Sequence, residues 1–385
     1  MAQPSIEHVP VSSGRLALAA HLAFFPTGIL TTLLGPMLPL LMVRWSLNDT
    51  QAGNLFLIQF LASVAGVQLS GVLLRRAGYR PAFLLGLLLM ACGAATLYAG
   101  AVRLGMASIA AYGVGLGLII PTDNLLIAEI CSDSATSAVS LLNFYWGIGA
   151  VLCSVLVAWA AAHGALPFFL GAVSLLLVVL AFFMRRLEFP AAETSREGAP
   201  GWMQLMQSPV IWLFAAVFFL YPGAETSVGG WIGSYVSRLG PREAAMAPLM
   251  PAFFWVALTV GRALGTVLLS HVEERRVLRA GFGAGAAGIG LMLWANALTG
   301  VIAGALVTGL GFATMYPITV ARLSRRYGVA ARSIGAFMFS LASMGPAVIP
   351  WMVGITSEKT GSLRAGLGLP LAATVILFLI HLREW

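Results

Sequence analysis

The sequence predicts an all-α membrane protein: twelve transmembrane helices in two pseudo-symmetric six-helix bundles. Three observations predict it. The 385-residue chain is 59% hydrophobic and 9% charged, with a mean hydropathy of +0.91, whereas soluble domains carry about 25% charged residues. Apolar stretches of about 20 residues, the length a helix needs to cross a bilayer, recur with short polar breaks. Features of the first half return in the second at a nearly constant spacing.

The first six spans cover about 16–44, 50–74, 81–102, 104–131, 136–162 and 165–184. A polar segment follows, Arg185 to Ser208, containing Glu188, Pro190, Glu193, Glu197 and Pro200. It divides the chain into an N-terminal bundle, 1–184, a cytoplasmic linker, 185–208, and a C-terminal bundle, 209–385. The second six spans cover about 209–237, 246–270, 277–297, 299–321, 333–356 and 363–382. The first 15 residues lack the charged start and short apolar core of a cleavable signal.

Loop charge sets the direction of threading. One set of alternate segments holds Arg15, Arg75, Arg76, Arg80, Arg185, Arg186, Arg196, Arg275, Arg276, Arg279, Arg322, Arg325, Arg326, Arg332 and Arg383. The other holds Arg44, Arg103, Arg238, Arg242, Lys359 and Arg364. The excess on the first side predicts both termini in the cytoplasm, in a bacterial-type inner membrane. Because the +8 net charge is spread over alternate loops, it points to threading and not to nucleic acid. Cys92, Cys131 and Cys153 are an odd number without close spacing, and the five histidines show no ligand pattern. Neither a disulfide framework nor a metal site is expected. HExxH, GxSxG and P-loop motifs are lacking, so no catalytic residue and no cofactor is expected.

The halves repeat. Gly113, Gly115, Gly117 and Pro121 in span 4 recur as Gly309, Gly311 and Pro317 in span 10. Ser137 and Gly149 in span 5 match Ser333 and Gly345 in span 11; Gly71 matches Gly265; Phe24 and Gly28 match Phe219 and Gly223. The shift stays near 195 residues throughout. Repeated halves around a midplane site are the architecture of secondary transporters.

Within this frame the segment after span 2 is informative. It reads Gly71-Val-Leu-Leu-Arg75-Arg76-Ala-Gly78-Tyr79-Arg80. Together with the 6+6 repeat and the polar middle loop, it resembles the major facilitator superfamily, whose motif here is Gly-x3-Asp-Arg-x-Gly-Arg-Arg/Lys. Arg75 stands where that motif usually has Asp. Gln51-Ala52-Gly53, Gly78-Tyr79-Arg80, Asn124, the Gly28 to Pro39 spacing and the Tyr221 to Trp231 segment are similar to the fucose permease-like sugar transporters. The acids that this group carries in spans 1 and 4 align with Gly35 and Ile120, so neither family proton site is present.

Asp123 and Glu225 lie in the middle of apolar spans, where ionisable residues usually line a substrate or ion path. The resemblance places spans 1, 4, 7 and 10 around a central cavity. Burial favours the neutral form of a carboxyl, so Glu225 is the leading proton-coupling candidate and Asp123 the second. The substrate-binding candidates are Gln59, Asn124, Asn143, Trp146, Tyr221, Glu225, Trp231, Trp255 and Tyr316. Amides and carboxylates match paired hydroxyls, and aromatic rings offer a flat face to a pyranose. Gly71, Arg76, Gly78, Arg80, Glu129 and Arg262 are gating or structural candidates. Glu129, near a helix C-terminus, is expected to pair with a basic group such as Arg76 or Arg80. Arg262 is expected to be a structural clamp before an anion site. Pro121, Pro222, Pro317, Pro346 and Pro350 are candidate flex points.

The function expected is secondary active transport of a monosaccharide or similar small polar solute, by proton-coupled symport and alternating access. The alternatives are a sugar uniporter and a drug or lipid exporter of the same fold. Expected partners are the small-molecule substrate, protons and the lipid bilayer, with no nucleic acid; the chain is expected to be a monomer.

Overall fold

The structure is a computed structural model that describes residues 11–131, 135–190, 207–327 and 331–383. All regular structure among them is helical. Among the described residues eleven helices are long and apolar enough to cross a membrane, and a bent pair, Gly14–Thr32 and Leu34–Trp45, supplies a twelfth span. In chain order, span 1 is that pair and spans 2 to 6 are Asp49–Ala77, Tyr79–Thr96, Val102–Ile130, Ala135–Ala162 and Leu166–Arg185. Spans 7 to 9 are Pro209–Val236, Met250–Leu268 and Glu274–Trp294. Span 10 joins Leu298–Phe312 to Met315–Tyr327, span 11 is Ala331–Thr360, and span 12 joins Leu363–Gly366 to Gly368–Leu382. Of the linker, residues 191–206 lie outside the described residues.

Three spans expected as single helices are interrupted, and the interruptions share a cause. Proline lacks the N–H for its helical bond, and its ring clashes with the carbonyl four residues back. Pro36 lies four residues past Thr32 and Pro370 four past Gly366, the last residues of their helices, and Pro317 lies four past Ala313, which caps the segment ending at Phe312. The first break bends span 1 by 43°. Pro121, Pro222, Pro346 and Pro350 sit inside unbroken helices, so of the five expected flex points only Pro317 coincides with a break.

The repeat is visible in the packing. A side chain added at Gly115 would meet the Gly86 carbonyl of span 3 at 2.7 Å, and one at Gly311 would meet the Gly281 carbonyl of span 9 at 2.6 Å. Gly113 lies on the Gln59 carbonyl of span 2 as Gly309 lies on the Phe254 carbonyl of span 8. Spans 1 and 5 meet through Gly28 and Gly149, and spans 7 and 11 through Gly223 and Gly345. Small residues let helix backbones approach closely where lipid supplies no hydrophobic drive between them. The fold is therefore two similar six-helix bundles. They meet mainly where span 2 packs on span 11, span 5 on span 8, and the second segment of span 1 on span 7.

Candidate functional site

Glu225 lies one helical turn beyond Tyr221 in span 7 and accepts a hydrogen bond from its hydroxyl. The i, i+4 spacing puts both side chains on one face. The same hydroxyl sits 3.1 Å from the Phe312 carbonyl oxygen. Phe312 ends the first segment of span 10, where the interruption leaves carbonyls without intrahelical partners. The break in span 10 thus supplies a polar group in mid-membrane.

Arg262 of span 8 is the cation that acts on Glu225, Tyr221 and Tyr316. Its guanidinium carbon lies 5.6 Å from the centre of the Trp146 ring in span 5. Trp146 meets Trp255 edge to face, at 83° with centroids 5.6 Å apart. Its indole nitrogen is 3.4 Å from the Thr31 hydroxyl oxygen in span 1. Thr31 donates its own proton to the Thr27 carbonyl, so it is an acceptor here. Glu225, Arg262, Trp146 and Tyr316 are all partly exposed although they sit deep within their spans. The result is a cluster in which spans 1 and 5 of one half face spans 7, 8 and 10 of the other.

Of the residues expected from the sequence, Tyr221, Glu225, Trp146, Trp255, Tyr316 and Arg262 are brought together. Others are placed elsewhere. Trp231 is wholly buried, donates to the Pro350 carbonyl at 3.0 Å and packs on Phe56, so it is a packing residue between spans 7, 11 and 2. Gln59 is also wholly buried, donating to the Thr31 carbonyl and accepting from the Tyr112 hydroxyl. It joins spans 1, 2 and 4. Asn124 and Asn143 are partly exposed, and each donates to the carbonyl one turn back in its own helix, Ile120 and Val139. Asp123 is wholly buried, and neither carboxyl oxygen has a hydrogen-bond partner among the described residues.

At the other end of span 4, Glu129 accepts a 2.5 Å bond from the Tyr79 hydroxyl, where an arginine was expected. Arg80 donates instead to the Leu187 carbonyl at 2.6 Å, tying the start of span 3 to the end of span 6. Gly78 separates spans 2 and 3 with φ of 77°, a left-handed conformation that favours glycine. Gly71 is partly exposed beside Arg75, and Arg76 is exposed. Two residues of the cluster escaped sequence reasoning, Thr31 and Thr259, the second lying against Gly147 next to Trp146. Thr259 had a readable signal, because Trp255, Thr259 and Arg262 stand at i, i+4 and i+7 on span 8. Thr31 had none, since its role depends on where Trp146 lands.

The fold is that of a polytopic membrane protein with a polar cluster in mid-membrane. The model of the Major Facilitator Superfamily matches residues 20–350, and the chain belongs to that superfamily. It is a multi-pass integral membrane transporter and not an enzyme. "Bypass of stop codon protein 6" of Saccharomyces cerevisiae is 22% identical over 292 residues, 67% of this chain and 57% of that protein. The chain thus spans a little over half the length of that relative. A glucose/galactose transporter of Brucella abortus is 28% identical over 378 residues, 88% of this chain and 87% of that one. Among solved structures, the E. coli fucose:proton symporter FucP superposes with a TM-score of 0.67 at 18% identity, covering 97% of this chain and all of that one. Such a likeness shows the fold.

Proposed function

We propose that this chain moves a monosaccharide or similar small polar solute across the inner membrane by alternating access, in symport with a proton bound at Glu225. The observation that carries the reading is the cluster itself. Glu225, Tyr221, Arg262 and Tyr316 on one half face Trp146 and Thr31 on the other. A site shared by two bundles opens to one side or the other as they rock, which is the requirement for alternating access.

The polar groups and the tryptophan face suit a hydroxylated ring. The names of the Brucella relative and of the E. coli neighbour support a sugar as solute. With Gly35 and Ile120 in place of the acids of the fucose permease-like group, Glu225 is the acid in this site that remains to carry a proton. In this reading residues 1–184 and 209–385 rock as two units about the cluster, with 185–208 as the cytoplasmic linker. The arginine excess puts both termini in the cytoplasm, and the single chain is the working unit.

Proteoliposome uptake of labelled hexoses, with and without an inward proton gradient, tests the proposal. Gradient-driven accumulation of one hexose is the expected result. Uptake that only equilibrates removes the proton from the mechanism, and absence of uptake across the hexoses removes the sugar.

A further inference from the structure

Span 8 carries three polar atoms whose hydrogen-bonding capacity is unused among the described residues. The Trp255 Nε1, the Thr259 Oγ1 and the Arg262 Nε are each buried without a hydrogen-bond partner. Their spacing of four and three residues puts them on one face of the helix. Thr259 and Arg262 lie in the seam against span 5, while the Trp255 Nε1 is turned toward span 7, 3.4 Å from where a Cβ on Gly229 would sit. Trp255 meets Trp146, Arg262 lies over the Trp146 ring, and Gly147 is so close that an added Cβ would meet Thr259 at 2.9 Å. Buried donors left without acceptors are costly and are rarely tolerated three in a row. Spans 5 and 8 belong to opposite halves, so the seam parts when the halves rock.

The chemistry of the stripe is one-sided. An indole N–H and a guanidinium N–H donate only, and the threonine hydroxyl donates as readily as it accepts. Neutral sugar hydroxyls can accept from such donors, since each oxygen carries two lone pairs, but they leave the charge of Arg262 unbalanced. A carboxylate only accepts. Among the described residues Arg262 has no carboxylate within the 4.0 Å of an ion pair, whereas Asp49, Glu273 and Glu274 are paired in this way with other arginines. One guanidinium balances one negative charge, which fits a carboxylate better than a phosphate monoester carrying about 1.5–2 charges.

Resting on the sugar-carrier reading above, we infer that the solute is an acidic sugar, a hydroxylated ring or chain bearing a carboxylate. The carboxylate binds Arg262, with the Thr259 hydroxyl one turn back on the same face. The ionisable groups facing Glu225 are Arg262 of span 8 and Tyr221 of its own helix, and Tyr316 of span 10 feels both Arg262 and Glu225. With the solute carboxylate present and Glu225 protonated, Arg262 brings the charge of the cluster to zero. Solute and proton therefore bind together.

The test is binding to the purified full chain in nanodiscs, by calorimetry, of a hexuronate, its parent hexose and the hexose 6-phosphate. The hexuronate is expected to bind at least about tenfold tighter than the hexose. Arg262→Gln is expected to lower hexuronate affinity by about tenfold or more, and Thr259→Val by about threefold to tenfold. Thr259→Val is nearly isosteric, so it reads the stripe even where Arg262→Gln fails to fold. Hexose bound as tightly as hexuronate overturns the acidic solute and leaves the sugar carrier standing. Preference for the 6-phosphate overturns the carboxylate in favour of a phosphate. Binding of none of the three overturns both readings.

Discussion

Asp49 and Arg238 form a two-pronged ion pair that ties the two halves together on the face opposite the chain ends. Asp49 opens span 2, and Arg238 lies just past span 7. Ser357, near the end of span 11, donates to the same carboxylate at 2.5 Å. The Asp49 backbone N–H donates to Glu358 at 3.0 Å, so the start of span 2 is capped from the other half by an anion. Close by, Trp351 of span 11 donates to Asn54 of span 2 at 3.0 Å. These contacts join the two halves on this face.

Removing the pair should loosen it. The Arg238 side chain is 39% exposed, so its contribution is that of a partly solvated pair, about 1 kcal/mol. Arg238→Ala should move the equilibrium about fivefold toward opening on this face. Spin labels at Asn48→Cys and Lys359→Cys, both exposed, would read the separation. An unchanged distance distribution would mean that the pair does not hold the face shut.

Glu225 and Asp123 should behave differently when neutralised. Glu225→Gln keeps a partner for Tyr221 but removes the ionisable group facing Arg262. Gradient-driven accumulation should vanish while solute exchange persists. No hydrogen bond links Asp123 to that cluster, so Asp123→Asn should retain accumulation. Loss of accumulation in Asp123→Asn alone would transfer the coupling role to span 4.

Two tryptophans separate binding from packing. Trp146 reaches Thr31, Trp255 and Arg262 with part of its ring exposed. Trp146→Ala should weaken solute binding by about tenfold or more. Trp231 is sealed between helices. Trp231→Phe should lower the melting temperature, through the lost bond to Pro350 and a smaller ring, with solute affinity unchanged within about twofold. Calorimetric binding and thermal melting in detergent decide both; the reverse pattern would exchange their roles.

The glycine crossings should be equivalent in the two halves. Gly115→Val and Gly311→Val each place a branched side chain against a facing backbone. Each should destabilise by about 1–3 kcal/mol or block folding. A large difference in melting temperature between them would mean that the halves are not held together alike.

Span number, the polar middle segment and the repeat were legible in the sequence, because each rests on local composition or on a spacing that the bilayer imposes. So was the identity of the mid-membrane acids, since a carboxyl in an apolar run stands out wherever it points. Pro36, Pro317 and Pro370 were also on the page, yet other prolines sit in intact helices; tertiary packing selects which ones break. The site was only half legible. Trp146 and Trp231 look alike as sequence, and one is partly open beside Arg262 while the other is sealed against Pro350. Glu129 met a tyrosine hydroxyl where an arginine was expected. Sequence determines which residues are costly to bury and how they repeat along each helix. The partners that offset that cost come from other helices, so only the packing of spans 1, 5, 7, 8 and 10 decided that Glu225, Arg262 and Trp146 share one place.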